Sequence, residues 1–181
     1  MSFVVLLQLL SSAPLCDIPT TVYVDLAAPP SYDRLVTQAI EFWNGQEGRI
    51  ILIYGGRKNL PTPHLRDATD YFGVRSLTQA TRDSEYWQKR WYAWVGRTFL
   101  HPLDNTDPDP LCVYGAQVWV DSQKPLRRWE WEIVMTHELG HVLGFGHADD
   151  EFCVMHRYPL QYPASPRIGA GVVDLLQYWY R

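Results

Sequence analysis

The chain has 181 residues, 46% of them hydrophobic and 20% charged, which suits one globular domain and excludes a disordered tail. Its net charge of −4 leaves no basic stripe to neutralise phosphates, so nucleic acid is not expected as a main partner. No apolar stretch is long enough to cross a bilayer, so we expect no membrane span. We expect a monomer.

Residues 1–15 form a segment of their own ahead of the predicted domain, which comprises residues 16–181. Residues 3–10 are largely apolar, and Ser11, Ser12 and Ala13 follow, as in the hydrophobic region and cleavage site of a signal peptide. No Lys or Arg precedes the apolar run, and Pro14 comes directly after it. An extra N-terminal β-strand is therefore the alternative interpretation.

A strand, a helix and a second strand are predicted at the start of the domain. Residues 21–26 are β-branched and aromatic, and a second strand is predicted for residues 49–54, which are apolar after Arg49; the pair Gly55-Gly56 should end it. Between them, Ser31 is predicted to cap a helix that ends near Asn44. The apolar face of this helix comprises Leu35, Val36, Ala39, Ile40 and Trp43. This order predicts a parallel crossover, with the helix covering one face of a sheet.

The middle of the chain gives weaker signals. We predict loop over residues 57–83 with a short element near 71–74, then a helical turn near 84–90 and a strand near 91–97. The loop of residues 101–112 carries oxygen ligands that suit calcium, although a solvated acidic loop is the favoured interpretation. The residues concerned are Asp104, Asn105, Asp107 and Asp109. Residues 114–121 alternate cleanly and predict a strand.

The strongest pattern lies between residues 130 and 158. His137 and His141 are four residues apart, so on a helix they share one face and lie about 6 Å apart along its axis. Gly144 should end that helix, and the turn after it returns His147 as a third imidazole. Three protein ligands leave a fourth position open for water, which is the arrangement of one catalytic zinc ion. Glu138 lies beside a ligand but points to the neighbouring side, so we predict that it is the general base.

This stretch resembles the signature of the metzincin zinc endopeptidases: His137, Glu138, His141, Gly144 and His147, followed by a methionine at position 155. The spacing from His147 to the methionine, and the closing helix of residues 169–181, are most similar to a minimal matrixin-like catalytic domain. The resemblance implies an α+β fold with a mixed twisted sheet, an active-site helix that carries two zinc ligands, a Met-turn and a C-terminal helix.

The resemblance also implies roles for other parts of the chain. Met155 would form an apolar floor beneath the metal, and residues 114–121 would be an edge strand above the cleft along which a peptide substrate lies. Residues 157–163 would line the pocket on the leaving-group side. Because secretion fits such an enzyme, we favour a signal peptide for residues 1–15 and an extracellular protein.

The resemblance thus implies a zinc endopeptidase acting on protein or peptide substrates. A narrow-specificity aminopeptidase using the same centre is one alternative, and a zinc-holding module that binds protein without cutting it is another. The cysteines leave a further choice open: Cys112 and Cys153 flank the substrate strand and the Met-turn, so they form either a disulfide or two free buried thiols. Cys16 is not expected to block the metal, because the Arg and Gly of a propeptide latch are missing around it.

Overall fold

A computed structural model of the protein describes residues 14–61, 71–77, 95–102, 112–161 and 166–180. The strands of this described chain are, in order, β1 (Thr20–Asp25), β2 (Leu52–Lys58), β3 (Phe72–Ser76), β4 (Gly96–Pro102) and β5 (Val113–Val120). Its α-helices are α1 (Ser31–Glu47), α2 (Arg128–Val142) and α3 (Ala170–Tyr180), and a short 3-10 turn covers Pro159–Gln161. Residues 1–13 of the predicted signal segment, the helical turn near 84–90 and the four candidate calcium ligands lie outside the described residues.

The predicted crossover at the start of the domain is confirmed, since β1 pairs parallel with β2 and α1 connects them. The apolar stripe of α1 is buried as its spacing predicts, from Leu35 at 4% exposure to Trp43 at 0%. The Trp43 indole donates a hydrogen bond to the Thr136 carbonyl of α2 at 2.9 Å, so the two helices are joined directly beneath the sheet.

The predicted ends of α1 and β2 were wrong, because both elements continue beyond the residues at which they were expected to end. Ser31 is the first helical residue and makes no side-chain cap, and α1 continues through Asn44 to Glu47, where Gly48 takes a left-handed conformation with φ 69°. Asn44 is retained in the helix because its side chain binds the next strand: its Oδ1 accepts from the Ile51 and Leu52 amides. The glycine pair 55–56 lies inside β2 instead of ending it.

The sheet has the order β2-β1-β3-β5-β4. β1, β2, β3 and β5 are parallel, and β4 pairs antiparallel with β5. The prediction that residues 114–121 form the edge strand was therefore wrong: β5 lies between two neighbours, and β4 is the edge. The alternation correctly predicted a strand, whereas its placement at the edge came from the resemblance; Gln117, the polar residue in the middle of β5, is buried at 1% exposure.

Two other strands differ from their predicted positions. β3 covers the short element predicted near residues 71–74 and continues to Ser76. β4 begins at Gly96, so it overlaps the strand predicted near 91–97 by two residues and extends five residues beyond it. The C-terminal helix predicted for residues 169–181 is confirmed as α3. With these elements, the predicted α+β class with a mixed sheet is confirmed.

The side chain of Tyr180 joins the C-terminal helix to the N-terminal segment and to the end of α2. The Tyr180 hydroxyl donates to the Leu143 carbonyl at 2.8 Å and accepts from the Leu15 amide at 3.0 Å. All three residues are buried. Among the described residues, no helix is long and apolar enough to cross a membrane.

The predicted disulfide between Cys112 and Cys153 was wrong, and the alternative of two free thiols was wrong for Cys112. Cys16 pairs with Cys112, their Cα atoms 4.9 Å apart, and Cys153 is a free buried thiol. The pairing follows from the path of the N-terminal segment, which runs beside the start of β5 and donates the Cys16 amide to the Val113 carbonyl at 3.0 Å. The Cys153 sulfur instead accepts the amides of Met155 and Gly169, which holds the turn beneath α2.

Candidate metal centre and cleft

The centre is built on α2, which is buried from Ile133 onward along most of its circumference. The helix starts where the Glu130 carboxylate accepts the Arg127 amide at 2.6 Å. It ends at Val142, and Gly144, with φ 88°, redirects the chain as predicted, while the Phe145 amide returns to the Gly140 carbonyl at 3.0 Å. This turn brings His147 back towards α2.

The structure brings together the three histidines named from the sequence. One nitrogen from each of His137, His141 and His147 lies within 4.8 Å of the other two, and the Nε2 atoms of His137 and His141 are 3.0 Å apart. Among the described residues, no other group of three or more His, Cys, Asp or Glu side chains converges in this way.

Backbone carbonyls fix the orientation of two of these rings. His137 Nδ1 lies 2.7 Å from the Val154 carbonyl, and His141 Nδ1 lies 2.7 Å from the Phe145 carbonyl. A carbonyl oxygen can only accept, so both rings carry their hydrogen on Nδ1 and turn an Nε2 lone pair towards the centre.

The donor set fits a zinc ion. Two lone pairs facing each other at 3.0 Å repel unless a cation lies between them, and the buried Nε2 of His147 has no hydrogen-bond partner within the described chain. Burial is the main cause that lowers the pKa of His137 and the pKa of His147, and it lowers the pKa of His141 to about 4. All three imidazoles are therefore neutral at pH 7, the form that binds a metal.

The methionine turn supports the centre from below. Met155 is fully buried, and its carbonyl accepts the Ala148 amide at 2.8 Å, next to His147. Its side chain packs on Gly140, the residue between the two helical histidines, where a Cβ would collide with the Met155 sulfur and with Trp43. The apolar floor implied for Met155 is therefore consistent with its position.

Glu138 is buried on the neighbouring side of α2, and its contacts come from β4. Its Oε2 accepts a hydrogen bond from the Thr98 hydroxyl at 2.6 Å. Burial raises the pKa of Glu138 to about 7, although the Thr98 hydrogen bond and the charge of Arg97 act in the opposite direction. Sequence reasoning missed Gly96 and Thr98, whose spacing of two residues places both on one face of a strand.

Glu138 and the three histidines open into one cleft with a volume of about 770 Å³. Residues 95–98 form one side of the cleft. Residues 157–160 form the other side, which agrees with the pocket predicted for residues 157–163 as far as the described chain reaches. Val134 of α2 also lines it, and the walls are mainly apolar.

A family comparison matches the part of the chain that contains the three histidines and the cleft. The model of the matrixin peptidases (Matrixin) matches residues 93–169, which is less than half of the chain but includes β4, β5, α2 and the turn after it. None of the curated proteins matches. The solved structure of archaemetzincin from Methanopyrus kandleri is similar at 16% identity and a TM-score of 0.48, over 88% of this chain and 94% of that one.

The predicted resemblance to the metzincins, and to the matrixins among them, is confirmed by the family match. This match and the three-histidine centre together support zinc metallopeptidase activity.

Proposed function

We propose that the protein is a zinc endopeptidase that hydrolyses peptide bonds in an open cleft. The observation that supports this most strongly is the convergence of three neutral imidazoles beside a buried carboxylate in one cavity. His137, His141 and His147 would hold the metal. A zinc ion in such a site polarises a carbonyl group and makes water nucleophilic near pH 7.

Glu138 is the general base and acid in this proposal. Its carboxylate takes a proton from the attacking water, which forms a bond to the scissile carbonyl carbon. Glu138 then delivers that proton to the amine nitrogen as the carbon–nitrogen bond breaks. A pKa near 7 suits both transfers, because the group can gain and lose a proton close to neutral pH.

The substrate would bind along β4 and not along residues 114–120. β5 already pairs on both sides, whereas β4 pairs only with β5 among the described strands. An exposed strand edge offers main-chain groups to an extended peptide, and residues 95–98 also line the cleft beside Glu138.

Export from the cell remains part of the proposal. The Cys16–Cys112 disulfide supports it, because such bonds form and persist in oxidising compartments. A fusion of residues 1–15 to a reporter, expressed in a secreting host, would test whether this segment directs export.

The decisive experiment is cleavage of a peptide library whose members carry either a free or an acetylated N-terminus. An endopeptidase cuts both sets, whereas an aminopeptidase cuts only the free set. Glu138→Gln keeps the size of the side chain and should retain bound zinc while kcat falls about 10²–10⁴-fold. Chelated wild type is the second control. Stoichiometric zinc without cleavage of either set would instead favour the non-catalytic binding module.

A further inference from the structure

Glu138 is held by two residues of the edge strand that no part of the metal-binding motif contains. Thr98 donates to Oε2 of the carboxylate at 2.6 Å, and its hydroxyl also lies 3.0 Å from the Glu138 carbonyl. Both contacts join β4 to α2 across 40 positions of the chain.

Gly96 fixes the other side of the same carboxylate. A Cβ placed on Gly96 would lie 2.8 Å from Oε1, 3.0 Å from Cγ and 3.1 Å from Cδ of Glu138. These are the three nearest atoms, so the space left by the missing side chain is filled by Glu138 itself. The strand backbone and the Thr98 hydroxyl therefore confine the carboxylate from two directions.

We propose that Thr98 and Gly96 are positioning residues that hold the Glu138 carboxylate, with Oε2 anchored by the Thr98 hydroxyl and Oε1 packed against Gly96. This inference rests on the proposed function. Thr98 donates to Oε2 both before and after Oε1 takes a proton from water, so the anchor persists until that proton passes to the amine nitrogen. The carboxylate then stays within reach of the attacking water and of the amine nitrogen. This matters because a misplacement of about 1 Å can cost about 10²-fold in rate.

The strand that would bind the peptide thus also orients the base that acts on it. Thr98 and Gly96 lie on the face of β4 that meets α2, and residues 95–98 line the cleft. A peptide paired with β4 would be placed relative to Glu138 by the same few residues.

The test compares zinc-loaded wild type with Thr98→Val, Thr98→Ser and Gly96→Ala. Valine keeps the shape of threonine without the hydroxyl, so we expect kcat to fall about 10–100-fold while KM stays within about twofold and bound zinc is unchanged. Serine restores the donor and should return kcat to within about threefold of wild type. Gly96→Ala should lower kcat without lowering bound zinc, because the displaced group is the end of the Glu138 side chain.

Thr37→Val is the matched control, since its hydroxyl donates to the Asp33 carbonyl within α1 at 2.8 Å, away from the cleft. It should leave kcat unchanged. A wild-type kcat in Thr98→Val, or a serine variant as slow as the valine variant, would overturn the proposal.

A second readout is independent of turnover. Crystal structures of wild type and Thr98→Val should show the Glu138 carboxylate turned away from its wild-type position in the variant, and an unmoved carboxylate would overturn the proposal. Wild type that cuts nothing would refute the proposed function, whereas wild type that cuts as fast as Thr98→Val would refute only the positioning role.

Discussion

The helix that carries the metal ligands and the strand at one side of the cleft differ in how much of each is buried and in how far along the chain their contacts reach. The helix wall, which comprises α2 and residues 144–156, contains nine buried residues in α2 alone and is supported by Met155 and Trp43. The strand wall, residues 95–102, is a sheet edge that pairs only with β5 among the described strands. Its attachment to the helix at Glu138 depends on one hydroxyl and one glycine.

This contrast separates two tasks. The helix wall fixes the metal ligands through rigid core packing, which tolerates little change in volume. The strand wall is a sheet edge and holds Glu138, the proposed general base, through a few specific contacts. Substitutions in the helix wall should therefore reduce stability first, and substitutions in the strand wall should reduce rate first.

The largest stability effect is expected from the disulfide that fixes the start of β5, the strand next to the edge. Replacing both Cys16 and Cys112 by Ala removes a link between residues 96 positions apart, and should lower the free energy of unfolding by about 4–5 kcal/mol. Denaturant unfolding measures this. A reducing agent should destabilise wild type and leave the double variant unchanged; equal sensitivity of the two would contradict the assigned pairing.

A slightly smaller loss is expected in the helix wall. Leu139 is fully buried next to Glu138, so Leu139→Ala should cost about 3 kcal/mol through lost burial and the cavity left behind. Ile53→Ala, at a position that is 41% exposed in β2, is the matched control and should cost much less. Thermal unfolding of both variants, with zinc content measured, checks the contrast. Equal losses of stability in Leu139→Ala and Ile53→Ala would contradict the prediction.

Substituting alanine for Gly140 or for Gly45, two glycines in helices, should change the free energy of unfolding in opposite directions. Gly140→Ala places a Cβ against Met155 and Trp43 and should destabilise the protein by about 1–3 kcal/mol. Gly45→Ala meets nothing within 4 Å in α1, so it should stabilise by about 0.5–1 kcal/mol, because alanine loses less backbone entropy. The denaturant midpoints of the two variants, compared with wild type, measure both changes in stability. A neutral Gly140→Ala would show that the floor beneath the metal is loosely packed.

The smallest effect is expected at the exposed start of α2. The Arg128 Nε lies 3.0 Å from the Glu132 Oε1, but the Arg128 side chain is 64% exposed. Arg128→Ala should change the free energy of unfolding by less than about 0.5 kcal/mol and leave kcat unchanged. Measurements at low and high salt should agree closely, and a large salt-dependent loss would show that this end of the helix is more important than its exposure indicates.

The sequence predicted the helix wall well because its information is local. His137, His141, Gly144 and His147 lie within eleven residues, and helical spacing with one glycine turn is enough to bring the imidazoles together. The stripe of α1 and the crossover between β1 and β2 also follow from short-range periodicity.

The strand wall was predicted poorly because its contacts are distant in the sequence. Thr98 lies 40 positions before Glu138, and Cys16 lies 96 positions before Cys112, so no local pattern indicates either pair. β5 was assigned to the edge by the matrixin resemblance, and its pairing on both sides shows that this assignment was wrong. The resemblance correctly implied an edge strand beside the cleft, but the strand that forms it is β4 and not residues 114–121.

The Tyr180 phenol has a consequence for the metal centre. The Leu143 carbonyl that it binds belongs to the last turn of α2, whose carbonyls have no partners within the helix. The cap of α2 is thus supplied by the side chain of Tyr180, a residue 37 positions further along the same chain. The turn that delivers His147 begins at this cap, so one hydrogen bond links the C-terminal helix to the end of the helix that carries His137 and His141.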